Sequence, residues 1–324
     1  MILITANAAS SGSRDIKRNI MTNREGLNKL KELSNQLEKV EYEDIMCILK
    51  NTIRKIPIPL AKLRAKSAVD RARKNIDEEM FTTIEQLSYI KDKNVIDNYL
   101  TEFGRANKPH QPMFYGAVET TDLQYQRITA IAEVSELFQN PNGKNLEGEL
   151  YTISRWGNKE ELILAEVVFA SEAIRVNPDI RQAFEKQTEF AKQAGQDDLE
   201  FYTDFLVFIS EQFAREKQTH HDYKISTAYA DLVLKHPDIK GISFPSVQTK
   251  YVGINVLFEP QVIDEYFTVE VLATQRLYKN VHKIYLGNHK NCLNPNDCLN
   301  NLIWTDLDPK YLTPDEYIQR CLIT

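Results

Sequence analysis

The chain has 324 residues, of which 42% are hydrophobic and 10% are aromatic. A chain of this length buries a sizeable core, and this composition is that of a globular protein and excludes wholesale disorder. The formal net charge is −6, and the four cysteines are too few and too scattered for a disulfide framework, which favours a reducing compartment. No apolar run reaches the length of a membrane span, and the first six residues lack the basic start of a secretory signal. We therefore expect a cytoplasmic protein without a membrane partner.

The N-terminal part of the chain is basic. Between Arg14 and Lys74, sixteen Lys or Arg stand against eight Asp or Glu. Such a segment could bind nucleic acid or an acidic partner. Aromatic residues do not interleave the basic ones, which argues against a nucleic-acid partner and favours solvated helix faces.

Two amphipathic helices are predicted in this segment. Apolar residues of the first helix recur every three or four positions, after possible caps at Thr22 and Asn23: Leu27, Leu30, Leu33, Leu37 and Val40. The second set is Ile45, Ile48, Leu49 and Ile53. Pro57 and Pro59 then end the helical pattern. This predicts a basic helical segment at 1–56, a catalytic domain at 57–285 and a C-terminal extension at 286–324. The helices would pack on the catalytic domain or form the seam of a homo-oligomer.

Beyond the prolines, the patterns predict strands, a helical block and strands again. The predicted elements are a strand at 113–118, a helix at 123–138, a hairpin made of 149–155 and 160–168 with a glycine turn, helices within 179–235, and strands at 241–244, 253–258 and 267–273. This order fits an α+β fold better than alternating βαβ units. GxGxxG and Walker A runs are absent from the sequence, so Rossmann and P-loop modes of cofactor binding are unsupported.

Groups suited to holding a dinucleotide stand close together in the middle of the chain. Arg105, Tyr115 and Glu133 supply a guanidinium, a phenol ring and a carboxylate within 29 residues. Two further pieces lie downstream, where Ser246 follows an apolar strand and Asn255 follows Gly253. Arg71 lies upstream, in Asp70-Arg71-Ala72-Arg73.

The order and spacing of these pieces resemble the RES family, named for its Arg, Glu and Ser, whose members degrade NAD. The resemblance extends over roughly residues 56 to 281. It implies an ADP-ribosyltransferase-like fold, which is an α+β fold with a mixed sheet core and helical insertions. It also implies a strand at 68–72, although local propensity alone predicts a helix over 60–74.

The resemblance implies a role for each site residue. Glu133 would bond the ribose hydroxyls and stabilise the positive charge that develops when the nicotinamide bond breaks. Arg105 and Arg71 would grip the pyrophosphate, and Tyr115 would stack on nicotinamide or cap the ribose. Ser246 and Asn255 would bond ribose or phosphate oxygens or hold their loop. From the residues alone, Glu136 competes with Glu133, and Arg73 competes with Arg71 because both arginines share a strand face.

The implied activity is cleavage of NAD at the nicotinamide–ribose bond, with water or inorganic phosphate as acceptor. Such an enzyme would be a bacterial toxin or defence effector that is held in check by an inhibitor (antitoxin) protein. It would need no metal and no cofactor beyond NAD as substrate. Two alternatives are an ADP-ribosyltransferase that modifies a macromolecule and a non-catalytic module that senses a nucleotide.

The chain departs from the family pattern in two ways. His110 stands where the family commonly has glycine, and the spacing from Tyr115 to Glu133 is longer than usual. Separately, His289, Cys292 and Cys298 could suggest a metal site, but three candidate ligands at this spacing favour ordinary free thiols in a C-terminal loop.

Overall fold

The computed structural model places the chain in two compact units. The first unit contains Met1–Lys62, Lys93–Gln111 and Leu162–Val247, and the second contains Leu63–Asp92, Pro112–Glu161 and Gln248–Thr324. The structure describes residues 2–5, 22–53, 55–193, 199–216, 219–281, 283–297, 301–313, 318 and 320–322. The helical residues at 22–52, predicted as a separate segment, therefore belong to the same unit as residues 162–247.

The described residues contain both α-helices and β-strands, which confirms the predicted mixture of α and β structure. The strands are β1 (Ile2–Thr5), β2 (Lys55–Ile58), β3 (Leu60–Leu63), β4 (Ala68–Lys74), β5 (Phe114–Val118), β6 (Asn145–Asn158), β7 (Leu162–Glu166), β8 (Ile239–Pro245), β9 (Ile254–Phe258), β10 (Phe267–Asn280), β11 (Lys283–Cys292) and β12 (Trp304–Asp306). The helices are α1 (Asn23–Leu33), α2 (Tyr42–Cys47), α3 (Lys93–Asn98), α4 (Gln126–Val134), α5 (Glu136–Gln139), α6 (Ser171–Val176), α7 (Pro178–Gln193), α8 (Leu199–Ala214), α9 (Lys224–Val233) and α10 (Pro260–Tyr266).

The second unit contains seven antiparallel strands in the order β12-β11-β10-β6-β4-β5-β9. Helix α4 packs on β4, β5 and β9. Its Ala130 and Ile131 join Ala72, Ala117 and Tyr151 in one buried apolar cluster. This packing fixes the position of α4 over the middle of the sheet.

The first unit buries the N-terminal leucine stripe within this chain. Thr22, one of the two possible caps predicted, is the cap of α1 and forms a capping box with Glu25, and α1 packs on α8. Leu27, Leu30 and Leu37 are all less than 4% exposed. The buried Lys224 ammonium donates to the carbonyls of Leu37 and Val40 at 3.0 and 2.7 Å, which ties the helical segment to α9. Strands β7 and β8 of this unit pair in parallel.

The predicted strand over 68–72 is confirmed, although its residues favour helix. Strand β4 pairs along its length with β6 and meets β5 at Asp70 and Ala117. Asp70 accepts two hydrogen bonds from Arg155, its partner on β6, at 2.8 and 2.9 Å. Pairing on both edges decides the conformation, because propensity differences of a few tenths of a kcal/mol per residue are weak beside tertiary contacts.

The predicted hairpin of residues 149–168 is wrong. Strand β6 continues through Gly157 to Asn158 and pairs with β4 and β10. Strand β7 instead pairs with β8. The predicted helix at 123–138 is present but breaks at Ser135, whose side chain caps α5 by accepting from the Phe138 amide at 3.0 Å.

Within the residues that the structure describes, none of the helices combines the length and the apolar character needed to cross a bilayer.

Candidate active site

The second unit joins two of the predicted site residues by a hydrogen bond. Asn255 on β9 is 5% exposed, and its Nδ2 donates to Glu133 Oε1 on α4 at 2.7 Å. These residues are 122 positions apart in the chain. A hydrogen bond to an ionised carboxylate is stronger than one between neutral groups, so Asn255 orients Glu133. Glu133 itself is half-buried, whereas Glu136, the alternative carboxylate, is exposed in the first turn of α5.

Close packing brings α4 next to the start of β9. Thr129 lies one helical turn before Glu133 and is fully buried against Gly253. A Cβ atom on Gly253 would lie 2.1 Å from Thr129 Oγ1, so only glycine permits this approach. Sequence analysis did not select Thr129 as a site residue. Its position four residues before Glu133, on the same helix face, is the signal that could have identified it.

Tyr115 lies on β5, between β4 and β9 in the sheet. Ala117, two residues further along, pairs with both Asp70 and Asn255. Side chains alternate along a strand, so Tyr115 shares the face of Ala117, which packs against α4. Tyr115 is half-exposed, and its backbone carbonyl accepts a hydrogen bond from Arg71 Nη1 at 2.7 Å. Four predicted residues thus lie on β4, β5, β9 and the helix that packs on them.

Arg71 carries a charge that the protein leaves largely uncompensated. Its guanidinium lies over the Phe114 ring at 5.1 Å, and no described carboxylate forms an ion pair with it. Burial, and next the Arg73 cation, lower the pKa of Arg71 to about 9, so it remains protonated at pH 7. Among the described residues, the buried Nε atoms of Arg71 and Arg73 lack hydrogen-bond partners. A buried cation in this state favours a bound anion.

Arg73 differs from Arg71 in its contacts. Its Nη2 donates to the Ser88 carbonyl at 2.7 Å, and burial lowers its pKa. Both side chains leave β4 on the face opposite Ala72, as the strand alternation predicted. Arg71 alone of the two donates to the Tyr115 strand.

Arg105 belongs to the first unit, where protein groups occupy its guanidinium. It donates to the carbonyls of Phe213 and Arg215 and to the Tyr223 hydroxyl, the last at 3.2 Å. The guanidinium also lies over the Tyr223 ring at 4.9 Å. A cation on the last carbonyls of a helix complements its dipole, so Arg105 caps the C-terminal end of α8. The sequence carries no local signal for this, because the partners lie more than 100 residues away.

The other predicted residues of the first unit lie in loops. Ser246 is fully buried directly after β8. His110 has a φ of 60°, which is the left-handed conformation that glycine favours. Its backbone N–H donates to the Leu100 carbonyl at 2.6 Å, and its Nδ1 lies 2.9 Å from the Ile96 carbonyl. The turn therefore keeps a positive φ without glycine.

The structure describes His289 and Cys292, while Cys298 lies outside the described residues. Nδ1 of His289 is hydrogen-bonded to the Thr274 hydroxyl at 3.1 Å. Within the described part of the chain, the structure contains no group of three or more His, Cys, Asp or Glu side chains that could hold a metal ion.

Neither a protein-family model nor a curated protein matches this chain. The assignment of a function therefore depends on the residues themselves and on their geometry.

Proposed function

We propose that this protein degrades NAD by cleaving the nicotinamide–ribose bond, in an ADP-ribosyltransferase-like domain similar to the RES family. The observation that carries the proposal is the hydrogen bond between Asn255 and Glu133, beside the strand of Tyr115. The resemblance implies a site role for all three residues, which come from separate parts of the sequence. The contact between Asn255 and Glu133, on elements adjacent to the Tyr115 strand, supports a common site built from the second unit.

The chemistry suits a carboxylate in this setting. When the bond breaks, nicotinamide leaves as a neutral molecule and the ribose carbon becomes cationic, as in glycoside cleavage. Glu133, oriented by Asn255, stabilises this charge and bonds the ribose hydroxyls. Water then adds to the ribose carbon and loses a proton, which yields ADP-ribose. Inorganic phosphate adds at the same carbon to yield the phosphorylated product.

Arg71 is the proposed pyrophosphate ligand. Its side chain leaves β4 on the face opposite Ala72 and α4, so it keeps this role only if the dinucleotide extends from the Glu133 side of the sheet to that face. It is a half-buried cation that no described carboxylate neutralises, and it donates to the backbone of Tyr115. A guanidinium can donate to two phosphate oxygens at once. A single carbonyl acceptor does not use this paired geometry. Tyr115 is half-exposed and would cover the nicotinamide or the ribose. Arg105 keeps its predicted phosphate role only if it gives up contacts with the end of α8.

An enzyme that consumes NAD without making a needed product harms the cell that contains it. We therefore propose that the protein acts in the cytoplasm as a bacterial toxin or defence effector and that an inhibitor protein restrains it. This part of the proposal rests on the resemblance to the RES family.

Product analysis tests the reaction. The purified protein is incubated with NAD, with and without inorganic phosphate, and the products are identified by mass. Free nicotinamide with ADP-ribose identifies a hydrolase, and nicotinamide with phosphorylated ADP-ribose identifies a phosphorylase. Adenine-labelled NAD that leaves its label on protein or nucleic acid would instead identify a transferase and would contradict the proposal.

A further inference from the structure

A cleft of about 510 Å³ lies within the second unit, and none of the residues predicted to bind NAD lines it. This volume is in the range of pockets that bind small molecules. Apolar side chains line part of it, namely Trp156, Ile263, Phe267 and Val269, each 5% exposed or less. Such a surface suits the apolar body of a ligand.

The charged residues that line the cleft are mostly acidic. Glu85, Asp264 and Glu270 stand against the single cation Lys91. Lys91 Nζ lies 3.9 Å from Asp264 Oδ1 and 4.9 Å from the centre of the Tyr89 ring. Neither Glu85 nor Glu270 forms an ion pair with any described residue. Among the described residues, Glu85 therefore has no cationic partner, and Glu270 has only the longer-range attraction of Arg155.

The backbone places Glu270 at this cleft. The pairing of β10 with β6 shifts by one residue between Val269 and Val271, so Glu270 is the extra residue of a β-bulge. Bulges redirect a side chain and occur often beside functional sites. The Glu270 carboxylate lies against Gly157, where a Cβ atom would stand 1.9 Å from Oε1. Arg155 faces Glu270 electrostatically, but its Nε and Nη2 both bond Asp70.

We propose that this cleft binds an organic cation, a small molecule with an apolar body and a protonated amine. The apolar surface around Trp156 would cover the body, and Glu270 with Glu85 would pair with the ammonium. Aromatic faces attract cations, which adds to the preference for a charged amine. The site is independent of NAD cleavage.

Three probes of one shape test the ligand class. These are 4-phenylbutylamine, 4-phenylbutanol and 4-phenylbutyrate, which are cationic, neutral and anionic. Trp156 reports binding by fluorescence in a Trp304→Phe background, since these are the two tryptophans of the chain. Calorimetry on the unsubstituted protein repeats each titration. We expect the amine to bind roughly tenfold more tightly than the alcohol, and the carboxylate to bind least.

Two substitutions test the role of Glu270. Glu270→Gln should weaken amine binding about fivefold and leave alcohol binding unchanged. Gly157→Ala keeps every charge but displaces the Glu270 carboxylate, so it should weaken amine binding similarly. Glu147→Gln, at an exposed β6 position away from the cleft, is the matched control and should change nothing. The proposal is overturned if no probe binds, if amine and alcohol bind equally, or if Glu270→Gln binds the amine like the unsubstituted protein.

Discussion

Arg105 in the first unit and Arg71 in the second were both predicted to bind pyrophosphate, but they have different surroundings. Protein carbonyls and a phenol hydroxyl occupy the Arg105 guanidinium. Among the described residues, Arg71 donates to the Tyr115 carbonyl, forms no ion pair with a carboxylate and has a buried Nε without a partner. A satisfied guanidinium stabilises the structure around it, whereas an unsatisfied buried cation stabilises a bound anion. The comparison separates an arginine whose donors are used by protein groups from one that keeps a buried donor unused, which residue type and spacing alone could not do.

The largest expected effect concerns the carboxylate of the second unit. Glu133→Gln should lose roughly two to three decades of NAD turnover, the size seen when one charge-stabilising group is removed from a site. The amide keeps an acceptor for Asn255, so the fold should be retained. The rate of nicotinamide release measures the effect, and circular dichroism checks the fold. Glu136→Gln, three residues away and exposed, should keep the normal rate. Equal rates in the two variants would remove Glu133 from the mechanism.

The first unit contains a buried charge whose effect is on stability. Burial raises the pKa of Glu166 on β7 to about 7, against the smaller opposing effects of Gln187 and Lys186. The unfolded chain loses this proton near its ordinary pKa of 4.5, so stability falls as pH rises from about 4.5 to about 7 and is constant above. Glu166→Gln should therefore stabilise the protein by roughly 3 kcal/mol at pH 8 and by little at pH 4.

Urea unfolding at the two pH values measures this difference. Glu185→Gln is the control, because Glu185 is exposed on α7 of the same unit and should show no such pH dependence. A stability gain in Glu166→Gln that is equal at both pH values would show that ionisation is not its cause.

Arg105→Lys tests whether Arg105 stabilises the first unit. Lysine cannot reach the carbonyls of Phe213 and Arg215 and the Tyr223 hydroxyl in one planar fork. Leaving such acceptors without a donor costs about 1–3 kcal/mol, so the melting temperature should fall. Differential scanning calorimetry measures the fall. Arg175→Lys, at an exposed position on α6, is the matched control. A variant that melts normally but binds NAD poorly would return Arg105 to the phosphate role.

Arg71→Lys tests whether Arg71 of the second unit binds the phosphate groups of NAD. Lysine keeps the charge but loses the two-pronged contact with phosphate oxygens, so NAD affinity should fall about tenfold. Titration calorimetry with Glu133→Gln as the background measures affinity without turnover. Arg155→Lys is unsuitable as a control because Arg155 is paired with Asp70, so Arg127→Lys on α4 serves instead. Unchanged NAD affinity in Arg71→Lys would show that Arg71 does not bind the pyrophosphate.

The smallest effect is expected at His110. Its positive φ costs a side chain of L configuration about 1 kcal/mol, and the contact of Nδ1 with the Ile96 carbonyl offsets part of this cost. His110→Gly loses both and should melt within a degree or two of the unsubstituted protein. His110→Ala keeps the strain and loses the contact, so it should melt lower. A glycine variant that melts lower than the alanine variant would show that the positive φ at this position is not a source of strain.

Local pattern predicted the elements better than it predicted their partners. The cap at Thr22 and the leucine stripe of α1 follow from spacing, and both are present. Gly157 has the residue type of a turn, but it lies inside β6, where it pairs with Ala68 of β4 and Thr268 of β10. Partners 89 and 111 positions away leave no signal in the local sequence.

The candidate site shows the same limit. Spacing placed Glu133 and Glu136 on equal terms, and only burial and the hydrogen bond from Asn255 distinguish them. Likewise, strand alternation put Arg71 and Arg73 on one face, and only the contact with the Tyr115 carbonyl separates their roles. Contacts between residues far apart in the chain distinguish Glu133 from Glu136 and Arg71 from Arg73. Local sequence spacing contains no information about these contacts.

Turnover of NAD by the second unit is tested by counting the nicotinamide released per protein molecule by proton NMR, while calorimetry measures NAD binding on the same preparation. We expect NAD to bind and many molecules of nicotinamide to be released per molecule of protein. NAD that binds at one equivalent and stays intact, or that does not bind, would contradict this expectation.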